Sequence, residues 1–238
     1  MENIIRLTVI IIFAAVFVYV GIPFIYGRVT RLSLRRKIQK YNVLVLTFDD
    51  GPGTRLTPDI LKILADHNVK ATFFLLGRNI PGREKIVRQI AAEGHEVCSH
   101  GYDHINYWYT CPFRALADIK RGWQAIDSAL DIKQGRYSFR PPYGKLNIIT
   151  LLYLWGKRVP VILWTLVLGD THSEDNSDEY NISSLIKDCG GAVLLVHDFD
   201  RADDRLDSKI IQSLCCVLQT AKEENISTVT VSELLNKE

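Results

Sequence analysis

From Tyr41 onward, short apolar runs rich in β-branched and aromatic residues alternate with amphipathic stretches of helical period. Strands joined through helices run parallel, because each crossover must carry the chain back to the end where the previous strand began. The expected strands are 41–48, 71–76, 95–99, 137–140, 159–166, 192–197 and 227–231. Helices are expected over 57–67, 82–94, 112–130, 146–158, 179–190, 206–224 and 231–238. Seven strand–helix units within residues 41–238 suit a closed or nearly closed barrel better than an open sheet. The fold class is therefore α/β, with about seven parallel strands.

Ahead of these units stands a different kind of segment. Residues 7–26, LTVIIIFAAVFVYVGIPFIY, hold no charged side chain. At ~1.5 Å per residue they reach ~30 Å, the thickness of a bilayer core. A secretory signal has a shorter apolar region and a small-residue cleavage site; a buried core helix is the other alternative. The reading is a single N-terminal transmembrane helix. The chain then divides into a transmembrane anchor (1–27), a basic juxtamembrane linker (28–40) and the strand–helix domain (41–238).

Charge is divided between these parts. Residues 28–40 carry six bases and no acid, which attracts them to anionic lipid. Without the first 40 residues the chain holds 22 bases and 26 acids, so its basicity belongs to the anchor and no nucleic-acid-binding face is expected. Bases that follow the span place the large domain in the cytoplasm by the positive-inside rule. Five unpatterned cysteines, Cys98, Cys111, Cys189, Cys215 and Cys216, agree with a reducing compartment. An extracytoplasmic domain is the alternative.

Reactive residues gather at one end of the expected strands, where a β/α barrel carries its chemistry. The first strand ends in Asp49-Asp50, the third in SHGYDH, the fourth in FRPPYG and the sixth in LLVHD, while Asp170 follows the fifth. His100 and His104, four residues apart, can point both imidazoles one way if the chain turns there. Two His and a carboxylate with open positions make a catalytic metal site of the zinc-hydrolase kind, a ligand set that iron also uses. Taken alone, the spacing favours a satisfied structural pair; its place opposite Asp49-Asp50 on the same rim is what points to a metal.

TFDDGP, SHGYDH, RPPYG and LLVHD, in this order and at these intervals, resemble the polysaccharide deacetylase family with its NodB homology domain, over roughly residues 41–235. The resemblance implies an α/β fold, an incomplete or distorted (β/α) barrel of about seven parallel strands, and a metal-dependent hydrolase that removes acetyl groups from N-acetylated sugars. It implies Asp49 as catalytic base, with Asp50, His100 and His104 as ligands of a divalent ion. Zinc is the expected ion, with Co2+, Ni2+ and Fe2+ left open. By the same resemblance Arg140 pairs with the base, the backbone N–H of Tyr143 holds the oxyanion, Leu195 lines the acetyl pocket and His197 is the general acid. Asp170 matches the aspartate that tunes this histidine. The chemistry is coherent in itself: an amide is a poor electrophile and water a poor nucleophile, so a bound metal, a base and an acid are each required.

One motif departs from the family. After Trp164, where the family commonly carries Asp-Trp, the chain has Asp170-Thr171, which alters the wall of the substrate groove. His172 next to it reads as a loop residue or a substitute. Cys98 shares a face with His100 and reads as a buried thiol or a neighbour of the metal. Tyr107 and Trp108 read as packing or as a stacking surface for a sugar ring, and His67 and His95 as structural. Sequons at Asn181 and Asn225 have meaning only in a secretory lumen.

The expected function is hydrolysis of N-acetyl groups on a polysaccharide or a lipid-linked glycan, with membrane lipids as the partner of the anchor. A deformylase of a lipid-linked formamido sugar and a carbohydrate-binding module without turnover are the alternatives.

Overall fold

The computed structural model describes residues 1–168, 177–201 and 204–237. An N-terminal helix runs from Glu2 to Tyr41 as α1 (Glu2–Val16), one π turn (Phe17–Gly21) and α2 (Ile22–Tyr41). Strands β1 (Val43–Asp49), β2 (Thr72–Leu75), β3 (Glu96–Ser99), β4 (Leu166–Val167), β5 (Ala192–His197) and β6 (Ser227–Thr228) follow. Between and after them come α3 (Leu56–Asp66), α4 (Glu84–Ala92), α5 (Pro112–Leu130), α6 (Ile148–Gly156), α7 (Ser177–Cys189), α8 (Asp204–Glu223) and α9 (Val231–Asn236).

All strand pairs are parallel, in the order β3-β2-β1-β5-β4, with β6 against the start of β1. Single bridges carry the pairing beyond β3, from Ser99 to Phe139 and from Phe139 to Val161. The expected strand at 137–140 is thus one bridge, and that at 159–166 is a bridge followed by a short β4. Pro141, Pro142 and Pro160 explain the reduction, since each removes an N–H that a ladder would use.

Strand β1 is buried on both faces. Leu44, Leu46 and Phe48 join the large core beneath the helices, with Leu56, Ile60 and Leu64 of α3. Val43 and Val45 face the other way, into a second cluster with Phe74, Cys98, Ile162 and Val193. Leu34 and Ile38 of α2 and Val231 and Leu234 of α9 complete that inner cluster. Strand alternation then puts Thr47 and Asp49 on the same inner face, one and two steps nearer the C-terminal end. The inner face is therefore apolar where the strand begins and polar where it ends.

The basic stretch 28–40 is helical and rests on the domain. Lys37 Nζ donates to the carbonyls of Leu235 (3.0 Å) and Lys237 (2.7 Å) at the end of α9, satisfying acceptors that a helix terminus leaves open. None of the five cysteines forms a disulfide.

Candidate active site

The site begins with the way the chain leaves β1. Asp49 is the last strand residue, 2% exposed, and its Oδ1 accepts from Arg140 Nη1 at 2.7 Å. Asp50 has φ +70°, a left-handed conformation that costs a non-glycine residue ~1–2 kcal/mol. That turn swings its carboxylate away from Arg140 and toward two imidazoles. His100 Nε2 lies 3.6 Å from Asp50 Oδ1, and His104 Nε2 lies 3.4 Å from the same atom. His104 and Tyr143 are also left-handed, with φ +56° and +58°. Strain of this kind concentrates where a site demands a fixed geometry.

Each imidazole is aimed by its surroundings. The Arg140 carbonyl lies 2.8 Å from His100 Nδ1 and can only accept, so Nδ1 carries the proton and Nε2 presents its lone pair. Burial, against the pull of Asp50, pushes the His100 pKa down to about 3, so the ring is neutral. His104 packs edge-on against Tyr143, ring centres 4.6 Å apart. The loop bearing both His is tied down by Asp118 of α5, which is 2% exposed. Its carboxylate accepts from the N–H of Tyr102 (3.1 Å) and of Asp103 (2.8 Å) and from the Tyr107 hydroxyl (2.8 Å).

Asp50, His100 and His104 form a group whose ligand atoms lie within 4.8 Å of one another. Ligands ~2.0–2.2 Å from a tetrahedral zinc stand ~3.3–3.6 Å apart, which matches both measured separations. Asp50 Oδ1 is buried and makes no hydrogen bond, an acceptor that a cation would satisfy. The donor set fits a divalent ion. Cys98 is not in this group; it is buried in the inner cluster, and burial raises its thiol pKa well above the usual range.

Around this group stand those of the other expected residues that the structure describes. Arg140 is fully buried, with Nη1 donating to Thr47 Oγ1 (2.8 Å) as well as to Asp49, and its guanidinium lies 4.1 Å from the centre of the Phe74 ring. Burial raises the Asp49 pKa, while Arg140 and His197 draw it back, leaving a carboxylate more basic than its pairing alone would. His197 is the register partner of Asp49 across β1–β5, so the two side chains leave one face of the sheet side by side. Leu195, partner of Thr47, lies one step beneath His197 on that face and is buried. Tyr143 is half exposed at the rim. Asp170, Thr171 and His172 lie outside the described residues.

Tyr107 is a packing residue, fully buried with its hydroxyl on Asp118. Trp108 donates from Nε1 to the Leu146 carbonyl at 3.0 Å. His95 is buried beside Phe73, and His67 ends α3 on the surface.

Two acidic residues with no role assigned from the sequence shape the site. Asp118 is one. Asp198, fully buried, accepts from Thr57 Oγ1 at 2.6 Å and donates its N–H to the Asp49 carbonyl at 3.1 Å. A Cβ on Gly51 would lie 2.3 Å from Asp198 Oδ2, so the turn after Asp50 accepts only glycine there. Burial pushes the Asp198 pKa up to about 7. The sequence signal for Asp118 is one acid on the apolar stripe of α5.

Residues 36–154 match the family described as polysaccharide deacetylase. The chain belongs to the polysaccharide deacetylase family. Among its relatives is the peptidoglycan-N-acetylglucosamine deacetylase of Listeria monocytogenes, 30% identical over 194 residues, covering 80% of this chain and 38% of the relative. A peptidoglycan-N-acetylglucosamine deacetylase of Bacillus cereus is 32% identical over 197 residues, 76% of this chain and 70% of the relative. The solved chitin deacetylase of the fungus Colletotrichum lindemuthianum superposes with a TM-score of 0.70 at 25% identity, covering 83% of this chain and 88% of that one. The chain thus spans well under half of the Listeria relative, and the family it shares with these proteins is carried by the half that bears Asp49, Asp50, His100, His104 and Arg140.

Proposed function

We propose that the protein is a membrane-anchored, metal-dependent hydrolase that removes N-acetyl groups from an N-acetylated sugar. The observation that carries this is the pairing of two unlike carboxylates on consecutive residues. Asp50 faces two imidazoles, and Asp49 faces a buried guanidinium. Asp50, His100 and His104 would hold the ion, zinc being the expected one. When bound there, a divalent cation polarises the amide carbonyl and acidifies water.

The chain's own residues divide the rest of the work. Asp49, made more basic by burial and oriented by Arg140, takes a proton from the attacking water. His197, beside it on the same face, gives a proton to the departing amine, a task within reach of an imidazole near neutral pH. The backbone N–H of Tyr143 would meet the developing oxyanion, and Leu195 would line the floor beneath the acyl methyl. Asp170 is assigned the tuning of His197. A module that only binds glycan has no use for this full set.

The anchor (1–27), the basic segment (28–40) and the catalytic part (41–238) fit a single-pass protein, and the bridges at Phe139 support an incomplete barrel. The charge pattern and the five unpatterned cysteines favour a cytoplasmic domain, which a topology reporter fused at the C-terminus tests. Substrates of this reading are polymeric N-acetylated glycans or lipid-linked sugars, with anionic lipid around the basic segment. The decisive assay identifies the acid released from polymeric and lipid-linked substrates by the full chain. Acetate supports the reading, formate replaces it with a deformylase, and release of neither overturns both.

A further inference from the structure

The N-terminal helix does not trail away from the domain; it runs along it toward the catalytic rim. At its C-terminal end, Ile38 packs beside Val43 and Gly191, where β1 and β5 begin. Farther back, the Arg31 guanidinium lies 4.9 Å from the centre of the Trp164 ring, and its Nη2 lies 3.1 Å from where a Cβ on Gly144 would be. Gly144 follows Tyr143, whose ring touches His104. Farther still, Phe24 meets Trp108 at 6.5 Å between ring centres, and the Tyr19 hydroxyl donates to the Thr110 carbonyl at 3.4 Å. Trp108 and Thr110 stand in the loop after β3, on the rim that bears His100 and His104. From Ile38 to Tyr19 the helix climbs ~28 Å, more than the ~23 Å length of β1. It leaves the domain at the mouth of the site.

The contacts at Tyr19 and Phe24 fall within the uncharged run 7–26. Whatever touches those residues stands at the depth of the span. α6 also packs against Phe17–Gly21. The surface there is apolar and bare. Outside the N-terminal helix, the described large apolar residues that are more than half exposed are Tyr109, Phe113, Tyr143, Leu152 and Trp155, and all belong to this rim or to α6. A soluble monomer seldom leaves such a patch open. Cations border it: Lys145 Nζ lies 4.7 Å from the Trp108 ring centre and Arg28 lies 5.9 Å from that of Phe24. Aromatic rings level with a span, edged by Lys and Arg, are the chemistry of the headgroup layer.

We propose that this face of the domain rests in the headgroup layer of the bilayer, so that the catalytic mouth opens onto the membrane surface. This rests on reading residues 7–26 as a membrane span. It narrows the substrate class to an acylamido sugar carried on a lipid or held at the membrane surface, because a mouth turned to the bilayer meets those first.

The test uses the full chain in phosphatidylcholine–phosphatidylglycerol vesicles whose acyl chains are brominated near the headgroup, a short-range quencher of tryptophan. The expected result is that Trp155→Phe removes a quenchable part of the emission, so that less of what remains responds to brominated lipid. Trp155 is 77% exposed, so the variant folds as the parent does. If the protein floats with vesicles but Trp155→Phe removes only unquenched emission, the proposal fails while the span stands. If it does not float with vesicles, the span reading fails and takes the proposal with it. A Trp155 shielded from acrylamide yet untouched by brominated lipid puts a second copy of the chain on this face and also overturns it.

Discussion

Arg140 Nη1 lies 2.7 Å from Asp49 Oδ1, and neither side chain reaches solvent beyond 2%. A buried ion pair adds little to stability as a whole, yet losing one partner strands the other's charge. Arg140→Met is expected to destabilise the fold by ~3–5 kcal/mol, read as a fall in the denaturant midpoint. Adding Asp49→Asn to that variant should restore much of the loss, because no charge is then left alone.

Asp118 is predicted to act on the site from a distance. Asp118→Ala leaves the amides of Tyr102 and Asp103 and the Tyr107 hydroxyl without their acceptor, at ~1–3 kcal/mol for each group that stays buried and unpaired. The His104 loop should loosen, and zinc affinity should fall ~10–100-fold, the usual effect of losing support behind a ligand. A zinc titration by calorimetry checks this.

His95 should give the fold an acid-sensitive step away from the site. Its Nδ1 accepts from the Ala71 N–H at 3.2 Å, and burial, with help from Lys70, lowers its pKa below the ordinary 6.5. The unfolded chain then binds a proton that the folded chain refuses, so stability is lost as pH falls below 6.5 toward the folded pKa. His95→Gln should remove that part of the pH dependence in urea unfolding curves taken between acid and neutral pH.

The parallel α/β order was legible because strand and helix periods alternate, and the rim residues because each follows a strand end. The strand count was less so. Pro141, Pro142 and Pro160 reduce two apolar runs to bridges, and their effect depends on partners that a single run does not reveal. Asp118 was hidden for a similar reason, since a lone acid shows its use only through the amides and hydroxyl that converge on it, whereas Asp198 stood in view at the end of LLVHD without a role. In residues 28–40 the bases draw attention to the surface, while Leu34 and Ile38, four apart on one stripe, are what seat the helix on the inner cluster. The resemblance to deacetylases named the candidate residues, and the left-handed turn at Asp50 brings its carboxylate to both imidazoles while Asp49 pairs with Arg140.

Metal content together with amide hydrolysis, measured on Asp49→Asn, Asp50→Asn and His197→Ala in the full chain, tests the division of labour most directly. Asp50→Asn is expected to lose metal and turnover together, as His100→Ala should. Asp49→Asn and His197→Ala are expected to keep the metal and lose turnover, by ~100-fold or more for an acid or base. Equal metal in Asp49→Asn and Asp50→Asn, or equal loss of it in both, would contradict the account.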